Sequence, residues 1–308
     1  MKILKKLSSA AIGLLLVLSW VQPTLAETVM EKIARTGILT VGTRFDLIPY
    51  AYTDDQGNLV GYSIDALNVL QKQLETYLGK KITIEMVEAN NPGDSILMLQ
   101  KGEIDIACNT GFTWERNKYV DFSDSYGISG IRLVTKAGSN LSTPESLAGK
   151  RIGIGENTIA ADVIKRVQPK AVFVTNIESV DQAFDLLNQG KIDAIAGDTL
   201  ILAGTIQRLG ANNYKIIPEE PYARFGMACI VPQNNSAFLN VVNYSLVKLM
   251  QGYVNQEKPY VDMVNRWFGE KGIVPLPAEI IRDFFETIII ERAQIPPDSS
   301  VPEPPVNR

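Results

Sequence analysis

Two stretches, "LQKGEIDIA" from Leu99 and "LNQGKIDAIA" from Leu187, place Leu, Gly, Ile and Asp at the same offsets, 88 residues apart. Each reads as the end of an amphipathic helix, a glycine stop and a buried strand. The surrounding sequence supports the same alternation. "GILTVGT" reads as a strand over Ile38 to Val41, "SIDALNVLQKQLETYLG" as a helix stopped at Gly79, and "KITIEMVEA" as a strand. A second such series opens at "GKRIGIGENT". Strands alternating with helices predict an α/β chain with largely parallel sheets, and the internal echo predicts two α/β lobes of similar topology.

At 308 residues and 45% hydrophobic content the chain can bury a large core. Its first 26 residues carry Lys2, Lys5 and Lys6, an apolar run from Ala10 to Val21 and a small-residue "TLA" end. This reads as a cleaved secretion signal, because the apolar run is well short of the roughly 20 residues that span a bilayer. Cleavage would remove three lysines and no acid, leaving 27 basic against 34 acidic residues, net −7. That balance argues against nucleic acid or an anionic membrane as partner. There is no histidine, which removes the usual general base, any Ser-His-Asp triad and the commonest transition-metal ligand. No cofactor is expected. Cys108 and Cys229 both sit in apolar strand-like runs, and in an exported chain they can form a disulfide or remain two buried thiols.

In open α/β sheets the ligand crevice lies outside the carboxyl ends of the strands, and three strand-end loops carry chemistry. "CNTGFTWERNKYVDFSDSY", Cys108 to Tyr126, brings Asn109, Thr110, Gly111 and Arg116 after one strand. "ENTIAADVIKRV" follows the second, with Asn157 or Thr158 positioned to cap a helix whose amides face the crevice. Asp198 ends the third, "KIDAIAGD". A guanidinium, a helix N-terminus and a carboxylate suit a zwitterion. Each residue also has a plainer reading: Arg116 pairing with Asp121 or Asp124 on the surface, Thr158 and Asp198 serving only as helix caps.

"TWERNKYVDFSDSY" resembles the T-x-E-R…V-D-F-S-x-x-Y pattern of the polar amino acid (family 3) extracellular solute-binding proteins of ABC importers. The likeness continues through "VGTRFDLIPYAYTDDQGNLVGYSIDAL", "SLAGKRIGIGENT", "LNQGKIDAIAGD" and "LVKLMQGY…VNRWFG", the late segments being similar to cyanobacterial members. The resemblance implies a type II periplasmic binding protein, two α/β lobes joined by a two-strand hinge. Lobe 1 would comprise 28–128 and 226–272, lobe 2 129–225, with crossings near Ile131 and Met227 and a C-terminal helix and disordered proline-rich tail over 273–308. It also implies that Arg116 clamps a ligand α-carboxylate, that the loop at Thr158 holds the same group, and that Asp198 takes the α-ammonium.

The chain departs from the family pattern in three places. Asn157, Thr158 and Ile159 replace G-T-T, so the second hydroxyl is lost. Gly111 stands where Ser or Thr is usual, and the segment from Asp105 to Arg116 is one residue shorter, which bears on how Asn109 and Thr110 align. Arg44, Asp46, Leu47, Tyr50 and Glu156 are expected pocket neighbours of mixed charge, leaving basic, acidic and amide ligands all open. The resemblance implies a monomeric periplasmic receptor, working with a membrane permease and closing on an amino acid. The alternative is a cyclohexadienyl dehydratase-like enzyme on the same scaffold, for which Glu156 is the nearest candidate acid.

Overall fold

The computed structural model describes residues 27–210 and 212–292. The signal reading and the proline-rich tail from 293 onward lie outside the described residues. Helix α1 (Val29–Thr36) opens on a capping box in which Thr28 and Glu31 satisfy each other's backbone amides. Strand β1 (Ile38–Thr43) follows, then a small antiparallel ribbon of β2 (Asp46–Leu47), β3 (Ala51–Thr53) and β4 (Leu59–Val60). Helix α2 (Tyr62–Leu78) ends at Gly79 in the left-handed region, as its sequence predicts. Next come β5 (Thr83–Glu88), α3 (Pro92–Gln100), β6 (Ile106–Gly111), a 3-10 turn at Arg116–Lys118, β7 (Val120–Phe122) and the ten-residue β8 (Gly127–Lys136).

The second series is β9 (Arg151–Gly153), α4 (Ile159–Val167), β10 (Val172–Val174), α5 (Val180–Asn188), β11 (Ala194–Asp198), α6 (Thr199–Leu209) and β12 (Tyr214–Ile217). The long strand β13 (Ala223–Pro232) then leads to α7 (Ser236–Val254), α8 (Lys258–Phe268) and α9 (Ala278–Arg292).

One strand path runs β10-β9-β11-β8-β13-β6-β1-β5, with β12 added on β8 and β7 on β13. Within each half the pairs β1/β5, β1/β6, β9/β10 and β9/β11 are parallel. The sheets are less purely parallel than expected, because β8 and β13 enter each half antiparallel to its edge. These two strands pair with each other from Gly127 opposite Met227 to Ala223 opposite Ile131. They carry the chain from one half of the molecule to the other and back.

The internal echo proves to be a physical equivalence. Gly102 and Gly190 both adopt positive φ, 70° and 67°, closing α3 and α5. Asp105 accepts the Thr40 amide of the neighbouring parallel strand at 2.9 Å, and Asp193 accepts the Arg151 amide at 2.8 Å. Each aspartate also has a cation, Lys32 or Arg151. The conserved spacing within the chain therefore marks a repeated device that ties a helix-strand unit to the adjacent strand.

The first lobe holds the larger apolar cluster, where α2, α7, α8 and α9 cover the sheet through Leu67, Leu70, Leu246, Met250, Phe268 and Phe285. The second lobe is thinner, with Ile152 and Ile164 packed on one face of its sheet and Phe184 and Leu187 on the other. Cys108 on β6 and Cys229 on β13 form a disulfide between adjacent strands.

Candidate ligand-binding site

Strand β6 delivers the first wall. Asn109 sits at φ 67°, a left-handed conformation that asparagine tolerates better than most residues. Its side-chain oxygen accepts from Ser63 and, at 3.0 Å, from the Tyr126 hydroxyl, while its amide donates to Thr43 Oγ1 at 3.3 Å. Beyond it, the 3-10 turn turns Arg116 inward. The guanidinium donates to the Gly111 carbonyl at 2.9 Å and, across the cleft, to the Asn157 carbonyl at 2.7 Å. Among the described residues no carboxylate pairs with it, and burial lowers its pKa against a weaker raising influence from Asp162. The surface-pair alternative is thereby set aside: Asp124 pairs with Arg292 of α9 at 2.7 Å instead.

The opposite wall comes from the second lobe. Thr158 caps α4, its hydroxyl accepting from the Ala161 amide at 3.2 Å and donating to the Gly155 carbonyl at 2.8 Å. Ile159, the first residue of α4, reaches across to Gly111. A Cβ built at Gly111 would lie 2.4 Å from Ile159 Cδ1 and 2.8 Å from Phe225 Cδ2. The two departures from the family pattern thus face each other: an isoleucine fills the volume that a hydroxyl-bearing residue at 111 would need.

Asp198 ends β11 and caps α6. One oxygen accepts from the amides of Leu200 at 2.8 Å and Ile201 at 3.1 Å and from Ser129 Oγ at 2.7 Å. The other is buried and, among the described residues, has no hydrogen-bond partner. Burial pushes its pKa up to about 6, with those three bonds pulling the other way. The capping role and the ligand-facing role are therefore compatible in one side chain.

Arg116, Asp198, Thr158, Gly111 and Asn109 line one cavity of about 180 Å³. Arg44 and Leu47 join them. Phe225 and Met227 from β13 and Ile131 from β8 also line it. Four expected residues do not. Tyr50 is fully buried against Phe268, and its hydroxyl is raised well above the usual tyrosine range by burial and then by the nearby Asp198 charge. Thr110 is buried, paired opposite Ala228, and the strand's alternation sends it away from its neighbours Asn109 and Gly111. Glu156 is exposed on the β9 to α4 connection. Asp46 is taken by Arg44 in a two-point ion pair at 2.7 and 2.5 Å.

Ser129 and Phe225 were not singled out from the sequence, and Ile131 and Met227 were marked only as crossings and not as site residues. All lie on the crossing strands, whose pairing joins residues about a hundred positions apart and leaves no local signal. A second recess of about 360 Å³, between Lys136, Lys150 and Asp193, holds none of the predicted residues.

Two lobes in contact across a cleft, with a half-buried cation on one and a carboxylate with one buried oxygen on the other, define a two-lobed solute-binding protein. The chain matches the bacterial extracellular solute-binding proteins, family 3, over residues 39–270, and belongs to that family. It is 26% identical over 267 residues to a glutamate/aspartate import solute-binding protein of Salmonella typhimurium, covering 85% of each chain. To a glutamine-binding protein of Geobacillus stearothermophilus it is 33% identical over 200 residues, 63% of this chain and 74% of that one. Among solved structures, an ancestral arginine-binding protein bound to glutamine superimposes with a TM-score of 0.67 at 28% identity, covering 76% of this chain and 99% of the other. Among the described residues no helix is long and apolar enough to cross a membrane.

Proposed function

We propose that the chain is the receptor of an amino acid ABC importer, released into the periplasm after removal of residues 1–26. Its lobes, 28–128 with 226–272 and 129–225, close on an α-amino acid. Arg116 and the first amides of α4 hold the carboxylate, and Asp198 holds the ammonium. The observation that carries this reading is that, among the described residues, one Asp198 oxygen has no partner and shares a cavity with a guanidinium that has no carboxylate partner. A buried carboxylate without a cation is costly to the protein alone, so its retention favours a cationic ligand group. The names of the relatives support amino acids as the class.

Arg116 and Asp198 come from different lobes, so a ligand that pairs with both stabilises the closed arrangement over an open one. Closure then follows from differential affinity, and a membrane permease can read it as occupancy. The receptor acts as a monomer, and its acidic net charge leaves nucleic acid without a docking surface. The dehydratase reading is disfavoured because Glu156, its candidate acid, is exposed and outside the cavity wall.

Calorimetric titration of ligand-free protein with the common amino acids tests the proposal. At least one should bind with a dissociation constant near micromolar, about −8 kcal/mol. Arg116→Ala should abolish binding while the far-ultraviolet spectrum is unchanged. Retained affinity would place the carboxylate clamp elsewhere, and formation of phenylpyruvate from prephenate would revive the enzyme reading.

A further inference from the structure

The cavity is lined by three charged side chains, Arg44, Arg116 and Asp198. The last two are those assigned above to the charges of the amino acid backbone. Arg44 is already neutralised, since Asp46 accepts from both Nε and Nη2 and is itself held by the Val180 amide at 3.2 Å. No unpaired cation is left for a ligand side-chain carboxylate, and no unpaired anion for a side-chain ammonium or guanidinium.

The neutral polar side chains of the wall are already engaged in the protein's own bonds, with the Ser179 hydroxyl proton the main donor left over. Thr158 bonds to Gly155 and Ala161, Ser179 accepts the Gln182 amide at 3.1 Å as the cap of α5, and Asn109 is held by Ser63, Tyr126 and Thr43. What α5, β11, α6 and the loop before α5 present to the cavity is Ile177, Val180, Ala183, Ile195, Ile201 and Leu202. A carboxamide or carboxylate placed among these would lose its water and gain little beyond the Ser179 hydroxyl in return. The about 180 Å³ available is below the range typical of drug-sized pockets, as a single amino acid requires.

Resting on the amino acid reading, we infer that the side-chain subsite selects an apolar amino acid, aliphatic or thioether, unlike the glutamate/aspartate and glutamine for which the compared relatives are named. Neutralisation of Arg44 by Asp46 removes the charge that would recognise an acid, and the α5 and α6 walls supply the desolvated surface that rewards a hydrocarbon chain.

The test is competitive calorimetry on the full chain, stripped of bound ligand in denaturant and refolded, with leucine and methionine against glutamine, glutamate and arginine. Leucine or methionine should bind at least about 30-fold more tightly than glutamine, which has a similar size, since apolar sites discriminate by roughly ten- to 200-fold. Glutamine, glutamate or arginine binding as tightly as leucine would overturn the inference while leaving the amino acid receptor reading intact. Binding by neither leucine nor methionine would overturn the inference, and binding by none of the common amino acids would overturn the receptor reading as well. Ile177→Asn, partly exposed and therefore tolerable to the fold, should narrow the leucine to glutamine ratio by about tenfold. An unchanged ratio in a variant with wild-type circular dichroism would also overturn the assignment.

Discussion

Asp198 carries a conflict between stability and binding within one residue. Its acid is raised from an ordinary 3.8 to about 6 by burial, so the folded, ligand-free protein holds this proton more tightly than the unfolded chain does. The sign follows: its contribution to stability is most favourable below about pH 4 and is lost as pH rises through 6, by about 1 to 3 kcal/mol. Asparagine keeps the cap of α6 and the Ser129 contact without the charge. Asp198→Asn is therefore expected to raise the unfolding free energy of ligand-free protein at pH 7 and to weaken amino acid binding by at least about 30-fold, corresponding to about 2 kcal/mol. Denaturant titration and calorimetry on the same variant check both halves. For the wild type, binding should be level above pH 7 and weaken by up to about tenfold per unit below 6, since the ammonium needs the ionised carboxylate; a flat profile from pH 5 to 8 would move the ammonium contact to another group.

At the level of elements, closure brings the end of β6 against the start of α4, and Gly111 meets Ile159 at that contact. Restoring the usual hydroxyl with Gly111→Ser places a Cβ 2.4 Å from Ile159 Cδ1, an overpacking that costs about 1 to 3 kcal/mol. The Ile159 part of the clash exists only when the lobes meet and should appear in ligand affinity, about five- to 150-fold, whereas the 2.8 Å approach to Phe225 Cδ2 on the adjacent strand β13 should also lower the melting of ligand-free protein. Combining Gly111→Ser with Ile159→Thr should recover most of the affinity, giving a coupling that a double-mutant cycle measures. Sequence alone flagged both positions as departures, but not that they compensate each other, since their contact spans the cleft. Helix α9 is a comparable case: its amphipathic pattern is visible in the sequence, while its docking on α7 and the Arg292 to Asp124 pair depend on where α7 lies.

Over the whole molecule, the disulfide sits where the lobes join. Cys108 and Cys229 are 121 residues apart, and the loop they close contains the entire second lobe. Its loss releases a long loop in the unfolded chain, an entropic effect of about 4 to 5 kcal/mol. Unfolding in denaturant with and without a reductant should differ by an amount of that order, with the difference borne by the first lobe, whose sheet contains both cysteines. Equal midpoints would mean that strand pairing alone secures the junction. Among the described residues the lobes are bridged across the cleft by few polar bonds, notably Arg116 to Asn157 and Asp46 to Val180. That sparse seam is what a ligand bridging Arg116 and Asp198 would reinforce.

The amino-acid sequence determined the elements and their order: helical and strand periodicities, glycine stops at 79, 102 and 190, and the repeated Asp105 and Asp193 all act through neighbours a few residues away or through burial that hydrophobic patterning reports. It also marked Arg116, Thr158 and Asp198, because strand ends are legible and each carries a distinctive functional group. Tertiary structure alone decided which charges are left unpaired. Asp46 neutralises Arg44, Arg292 takes Asp124, Tyr50 and Thr110 turn into the core, and Ser129, Phe225 and Met227 enter from the crossing strands. Pairing and desolvation depend on distances between groups far apart in the chain, and those distances exist only once the two lobes have folded and met.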